Sequence, residues 1–187
     1  MKYSELQRTQ IGWELETLRV RSDLMPKTFE LGNARLSKLR NDESYLEMVL
    51  VHSQVIEHYI RHILNIYATQ RRILKILGQY DPYAEIKLNI DDDEPLGPLI
   101  GTLTRFIGKT ALIGELNRFN NELKREVAHH IFDGSKDVET FEQRIEEYFD
   151  RSDDGKFRVV VNGLRQVRKE ANNKIKALVE DIKASKK

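Results

Sequence analysis

Arg118, Glu122, Arg125 and His129 follow one another at steps of four, three and four, the spacing that stacks side chains along one flank of a helix. A guanidinium grips phosphate and a neighbouring imidazole moves a proton. Such a flank therefore carries the groups that RNA cleavage by 2′-hydroxyl attack would use, the nucleophile coming from the substrate. On a wheel centred on Phe119, the residues Leu112, Leu116, Leu123 and Val127 make the inward stripe, and His130 turns to that same side. An ion-paired, solvated flank would give the same spacing.

Glu57 is a second unusual position. With Ser53 set at zero and about 100° per residue, Leu46, Val49, Leu50, Ile56, Ile60, Ile63, Leu64 and Tyr67 fall within about 80° of it, and Glu57 lies at about 40°, inside the apolar stripe. A carboxylate there either takes an Arg, Lys or His donor from a neighbouring helix or curls out to water at the stripe's edge. His130 is placed to approach it if the two helices pack together. His58 and His62 share the i,i+4 spacing of two metal-binding imidazoles. No third ligand accompanies them, and a polar surface beside Val51, Gln54 and Asn65 explains them as well. With no Gly-rich phosphate loop, no G-x-S-x-G elbow and no H-E-x-x-H in the sequence, neither a metal nor a cofactor is expected.

The elements that must position these residues are helical. Only four Pro and ten Gly interrupt a chain in which 33% of residues are charged, a composition that favours helix over strand. The pattern predicts a first helix from residue 4 to about 22, stopped before Met25-Pro26, and a short second helix through Phe29, Leu31, Leu36 and Leu39. A long central helix follows from Leu46 towards Leu77, closed by Gly78. Its second apolar set, Met48, Val55, Tyr59 and Ile66, predicts either a central place in a bundle or an oligomer interface. Residues 81–96, with two prolines and the run Asp91-Asp92-Asp93-Glu94, read as a loop. Helices are expected again over 96–107, over 111–131 and over 137–149. A last one carries Phe157, Val160, Leu164, Val167, Ala171, Ile175, Leu178 and Ile182 on one stripe. Its off-stripe Arg165, Arg168, Lys169, Lys174, Lys176 and Lys183 read as a solvated basic face, a dimer seam or an RNA-binding face.

The 187 residues, 40% hydrophobic, suffice for one core, and a single all-α domain, a bundle of about five to seven helices, is the expected fold. The charges nearly cancel, 31 basic against 30 acidic for a net +1, so any electrostatic recognition must be local. Cysteine is absent, which excludes disulfide scaffolds and thiolate metal sites and agrees with a reducing compartment. No apolar window has the roughly 18 residues of a membrane span, and the first residues lack a signal-peptide core. The expectation is a cytoplasmic protein with no membrane partner.

Residues 116–132, LNRFNNELKREVAHHIF, resemble the signature helix of the HEPN superfamily, in which four to six residues separate an Arg from a following His, often in an N-x-L-R-N-x-x-A-H context. Arg125 and His130 meet the spacing literally. Aligned instead on Ala128-His129, Lys124 stands where that family has Arg, and Arg125 where it has Asn. Residues 51–57, VHSQVIE, resemble the family's early helix with an inward Glu. The likeness covers 46–132 as a HEPN-like core, with 1–45 and 137–187 as flanking helices. It implies a helical bundle, commonly a homodimer with the Arg and His of two protomers facing each other. It also implies either metal-independent endoribonuclease action of the toxin or phage-defence type, or non-catalytic binding of nucleotide or RNA. The residues it designates are Arg125 with His130, or Lys124 with His129, with Asn121 and Glu122 orienting them. RNA is the expected partner, beside a possible antitoxin or regulatory protein. The rival expectation is a non-catalytic helical regulator or protein-interaction module with a degenerate motif, favoured by Lys in place of Arg and by the near-neutral charge.

Overall fold

The computed structural model describes residues 3–42, 44–88, 90, 94–127, 138–150 and 155–184. Among them are six α-helices and no strand, an all-helical bundle. The first helix, α1 (Glu5–Asn41), begins in a reciprocal cap: the Gln7 amide N–H donates to Ser4 Oγ at 3.2 Å, and the Ser4 N–H donates to Gln7 Oε1 at 2.9 Å. The Gln7 side-chain amide also reaches the carbonyl of Ile76 at 2.8 Å, tying the start of α1 to the end of α2 (Tyr45–Ile76).

α1 does not stop at Pro26. One 37-residue helix replaces the two predicted from the sequence, with Pro26 in its interior. Ile11, Leu18, Met25, Gly32 and Leu39 recur every seven residues on both sides of the proline. The four large ones are buried, on a helix whose main neighbour is α2. A proline inside a helix costs about 3 kcal/mol, whereas each large apolar side chain buried contributes roughly 1.5–3 kcal/mol, so the seam carries the helix through. Gly32 marks a close approach, where a Cβ would stand 2.5 Å from Val55 Cγ2.

α2 is central. Ile56, Ile60, Ile63, Leu64 and Tyr67 are buried, and so are Met48, Tyr59 and Ile66 of the second apolar set, because α1 lies along this helix while the helices Leu96–Ile107, Val138–Tyr148 and Lys156–Ala184 and the segment Phe119–Lys124 contact it elsewhere. The chain itself thus covers the face that could have served an oligomer. Leu46 and Leu50, expected in the core, are exposed in the first turns of α2. Beyond the cap residue Leu77, Gly78 turns the chain out of the helix with a φ of 63°, in the left-handed region.

The described residues between α2 and α3 (Leu96–Ile107) form no helix or strand, while Asn89 and Asp91-Asp92-Asp93 of the expected loop lie outside the described residues. Arg71 holds the first part by donating to Asp81 Oδ2, the Ile86 carbonyl and the Ala84 carbonyl at 2.8, 2.7 and 2.9 Å. Thr110 caps α4 (Ala111–Arg118) through the Ile113 N–H. α5 (Val138–Tyr148) and α6 (Lys156–Ala184) complete the bundle. α6 buries Val160, Leu164, Ala171, Ile175 and Ile182, and Gly163 lets it approach α4 so closely that a Cβ there would lie 3.0 Å from Leu112.

Candidate functional site

Glu57 and Lys124 join the central helix to the motif helix. Glu57 is held inside α2's apolar stripe with its side chain only 18% exposed, and Lys124 Nζ, 28% exposed, donates to its Oε1 at 2.7 Å. Ser53 Oγ donates to the same oxygen from one turn earlier at 3.1 Å. Arg61, one turn later, brings Nη1 to 3.9 Å from Oε2 and donates from Nη2 to the Glu94 carbonyl at 2.6 Å. A half-buried carboxylate thus meets two cations and a hydroxyl, which offsets its desolvation. Ser53 and Arg61 were not singled out from sequence, although both stand four residues from Glu57 on the same face.

The motif helix changes pitch where it meets this carboxylate. α4 runs directly into a π-helical segment, Phe119–Lys124, and α-helical geometry returns through Val127. Such a wide turn inserts a residue into the helical phase and is frequent at functional sites. Leu116, Phe119, Leu123 and Val127 stay buried, as the wheel predicted. The polar flank divides: Arg118 binds Glu115 at 3.0 Å and approaches Glu122 at 3.9 Å, while Arg125 is exposed and makes no ion pair among the described residues. The expected continuous series therefore stops at Glu122, because the π segment breaks the 3.6-residue register between Glu122 and Arg125. Asn121 accepts from Asn120 Nδ2 at 3.3 Å on the surface. Glu126 takes Arg144 of α5 at 2.6 Å. His129 and His130 lie outside the described residues, as does Ala128.

No family model, curated protein or solved structure matches this chain. The site stands on its own geometry. The two neighbouring basic residues that the motif offered have different surroundings: Lys124 is turned into the bundle on Glu57, and Arg125 is exposed, with no ion pair among the described residues.

Two other histidines occupy surroundings that the sequence did not disclose. His52 is 1% exposed, boxed by the rings of Phe119, Phe149 and Phe157 at 5.0, 5.3 and 4.9 Å. Its Nε2 lies 3.2 Å from the Tyr148 hydroxyl. Burial pushes its pKa down to about 3, so the ring is neutral. His62 does not lie on a plain polar surface. It is buried, and burial, with Arg168, His58 and Arg21 adding repulsion, lowers its pKa to about 4. His58 is exposed, and no group of three metal-ligating side chains occurs among the described residues.

Proposed function

We propose that this chain is a HEPN-like RNA-binding protein in which Arg125 is the phosphate contact, working with His130 as a metal-independent endoribonuclease of the toxin or phage-defence kind. The observation that carries this reading is the division of labour at the π segment. Lys124 gives its charge to Glu57, whereas Arg125, with a planar fork suited to phosphate, stays exposed on the same turn and makes no ion pair among the described residues. This favours the literal pair, Arg125 with His130, over Lys124 with His129. In the reaction, the 2′-oxygen bonds to the adjacent phosphorus, the bond to the 5′-oxygen breaks, and the His shuttles the proton between the two oxygens. Arg125 would stabilise the charge that builds on the phosphoryl oxygens. α6 adds positive potential, with eight Lys and Arg against three Asp and Glu. A homodimer would bring two such sites together, and an antitoxin or other regulatory protein would restrain them.

A second reading has one observation in its favour. If Lys124 is the family's phosphate-gripping position, its pairing with Glu57 makes it a structural residue, and the chain is then a non-catalytic regulator or interaction module. Titration of single-stranded RNA across salt separates the two. An RNA binder loses affinity linearly in log salt, and Arg125→Ala should reduce that slope by about one while Lys124→Met leaves it unchanged. Absence of RNA binding at low salt would support the interaction module instead.

A further inference from the structure

α1 covers one face of α2 and shows a second apolar line to solvent. Among the described residues seven large hydrophobic side chains are exposed, and four of them belong to α1: Leu6, Trp13, Val20 and Leu31, between 52% and 72% exposed. At about 100° per residue all four fall within about 20° of Trp13, on a line about 38 Å long. Trp13 and Val20 stand two positions after the buried Ile11 and Leu18, about 200° round the helix, so this line is opposite the seam on α2. Leu6, Trp13 and Val20 recur every seven residues, and Leu31 takes the other seam position of the same heptad. Trp13, Glu16, Thr17 and Val20, with Arg21, line a shallow groove of about 440 Å³ on this face. Residues i, i+3, i+4 and i+7 make the hole that receives a side chain from a facing helix in a coiled coil.

The edges of the line say what faces it. Glu16, Asp23 and Glu30 run along one edge every seven residues, and Arg21 and Arg35 stand on the other. Glu14, on that second edge, is held by Arg72 of α2 at 2.6 Å. In a parallel pair each acid faces the position five residues later in the second copy, which sets Glu16 against Arg21 and Glu30 against Arg35; an antiparallel pair would set acid edge against acid edge. Within one chain Arg19 bridges Glu16 and Asp23 at 2.6 and 3.3 Å, Arg35 reaches Glu47 at 3.2 Å and Arg21 reaches Asn65 at 2.5 Å. These are weak exposed contacts that re-pair at little cost. We propose that this face pairs with the same face of a second copy, as a parallel two-helix coiled coil along α1. Gln10, Thr17 and Lys27 also occupy seam positions, and polar residues there fix the register at a cost in stability, so the dimer is reversible. The interface belongs to α1 and uses no residue of the motif helix.

The chain has no cysteine, so single introduced cysteines report the contact unambiguously. Thr17→Cys and Leu31→Cys share one heptad position and lie about 21 Å apart along the helix. Each should give a disulfide-linked dimer on mild oxidation, because a parallel pair sets each residue against its own copy, whereas Asn33→Cys, exposed on α1 but off the seam, should not. Sedimentation equilibrium of the wild-type chain at about 1–100 µM should show monomer and dimer in exchange, and Trp13→Glu should weaken the dimer by at least about tenfold. Far-UV circular dichroism of that variant should be unchanged, since Trp13 is exposed. A wild-type monomer across that range would overturn the proposal and give the stripe to a different partner. A dimer unaffected by Trp13→Glu, or cross-linking at only one of the two seam cysteines, would overturn it as well.

Discussion

Glu57 and Lys124 lie 67 residues apart in sequence and 2.7 Å apart in space, and their worth is measurable as a coupling. Removing Glu57 leaves Lys124 half-buried without its carboxylate, and removing Lys124 leaves Glu57 with only Ser53 and the more distant Arg61. Glu57→Gln and Lys124→Met should each lower the unfolding free energy by about 1–2 kcal/mol, a value discounted for partial exposure, and the double variant should lose little more than either single one. Urea denaturation reads all four proteins, and additive losses would show that the two side chains do not interact. Half of this pair was legible in the sequence. The wheel places Glu57 inside an apolar stripe, and the desolvation of a carboxylate then demands a donor. Which donor answers depends on how α2 crosses the motif helix and on a π turn that shifts Lys124's phase, neither of which a 100° wheel contains. His52 makes a separate prediction. Folded, it titrates at about 3; unfolded, it titrates near its ordinary value of about 6.5. The unfolded chain therefore takes up the proton first, and stability should fall as pH drops from about 6.5 towards 3, by about 1.4 kcal/mol per pH unit from this group. Urea midpoints between pH 7 and 4.5 should converge in favour of His52→Phe by that slope, and a parallel pair of curves would contradict the assigned burial.

At the scale of the element, α1 is the instructive case. The residue before a proline is biased away from helix, so local signals break this segment at Met25-Pro26. The seven-residue recurrence of Ile11, Leu18, Met25, Gly32 and Leu39 crosses that point without a change of phase, and only a helix running straight through keeps all of them on α2. Long-range packing along α2 overrides the local rule. Pro26→Ala restores the N–H that can bond the Ser22 carbonyl and removes the ring's clash, so it should raise stability by roughly 1–3 kcal/mol. Chemical denaturation checks this, and a variant no more stable than wild type would mean that the helix is interrupted at that residue. The helices 96–107 and α6 were legible because their apolar residues recur at helical spacing between clear stops. The π segment had no such mark, since its apolar residues Phe119 and Leu123 also suit an ordinary helix.

The whole molecule is a bundle built around α2, with buried side chains of every helix joined in one core. No described helix is long and apolar enough to cross a membrane. Its near-neutral total charge conceals local imbalance: α6 is basic, and Arg125 stands exposed beside the tied Lys124. The functional reading depends on that last contrast. It is tested most directly by incubating the purified chain with RNA in EDTA, beside Arg125→Ala, Lys124→Met, His129→Ala and His130→Ala. The account predicts that wild type cuts without metal, that Arg125→Ala and His130→Ala each slow cleavage by about 100-fold or more, and that Lys124→Met affects it far less. RNA left intact by wild type, or cut equally by all the variants, would contradict it.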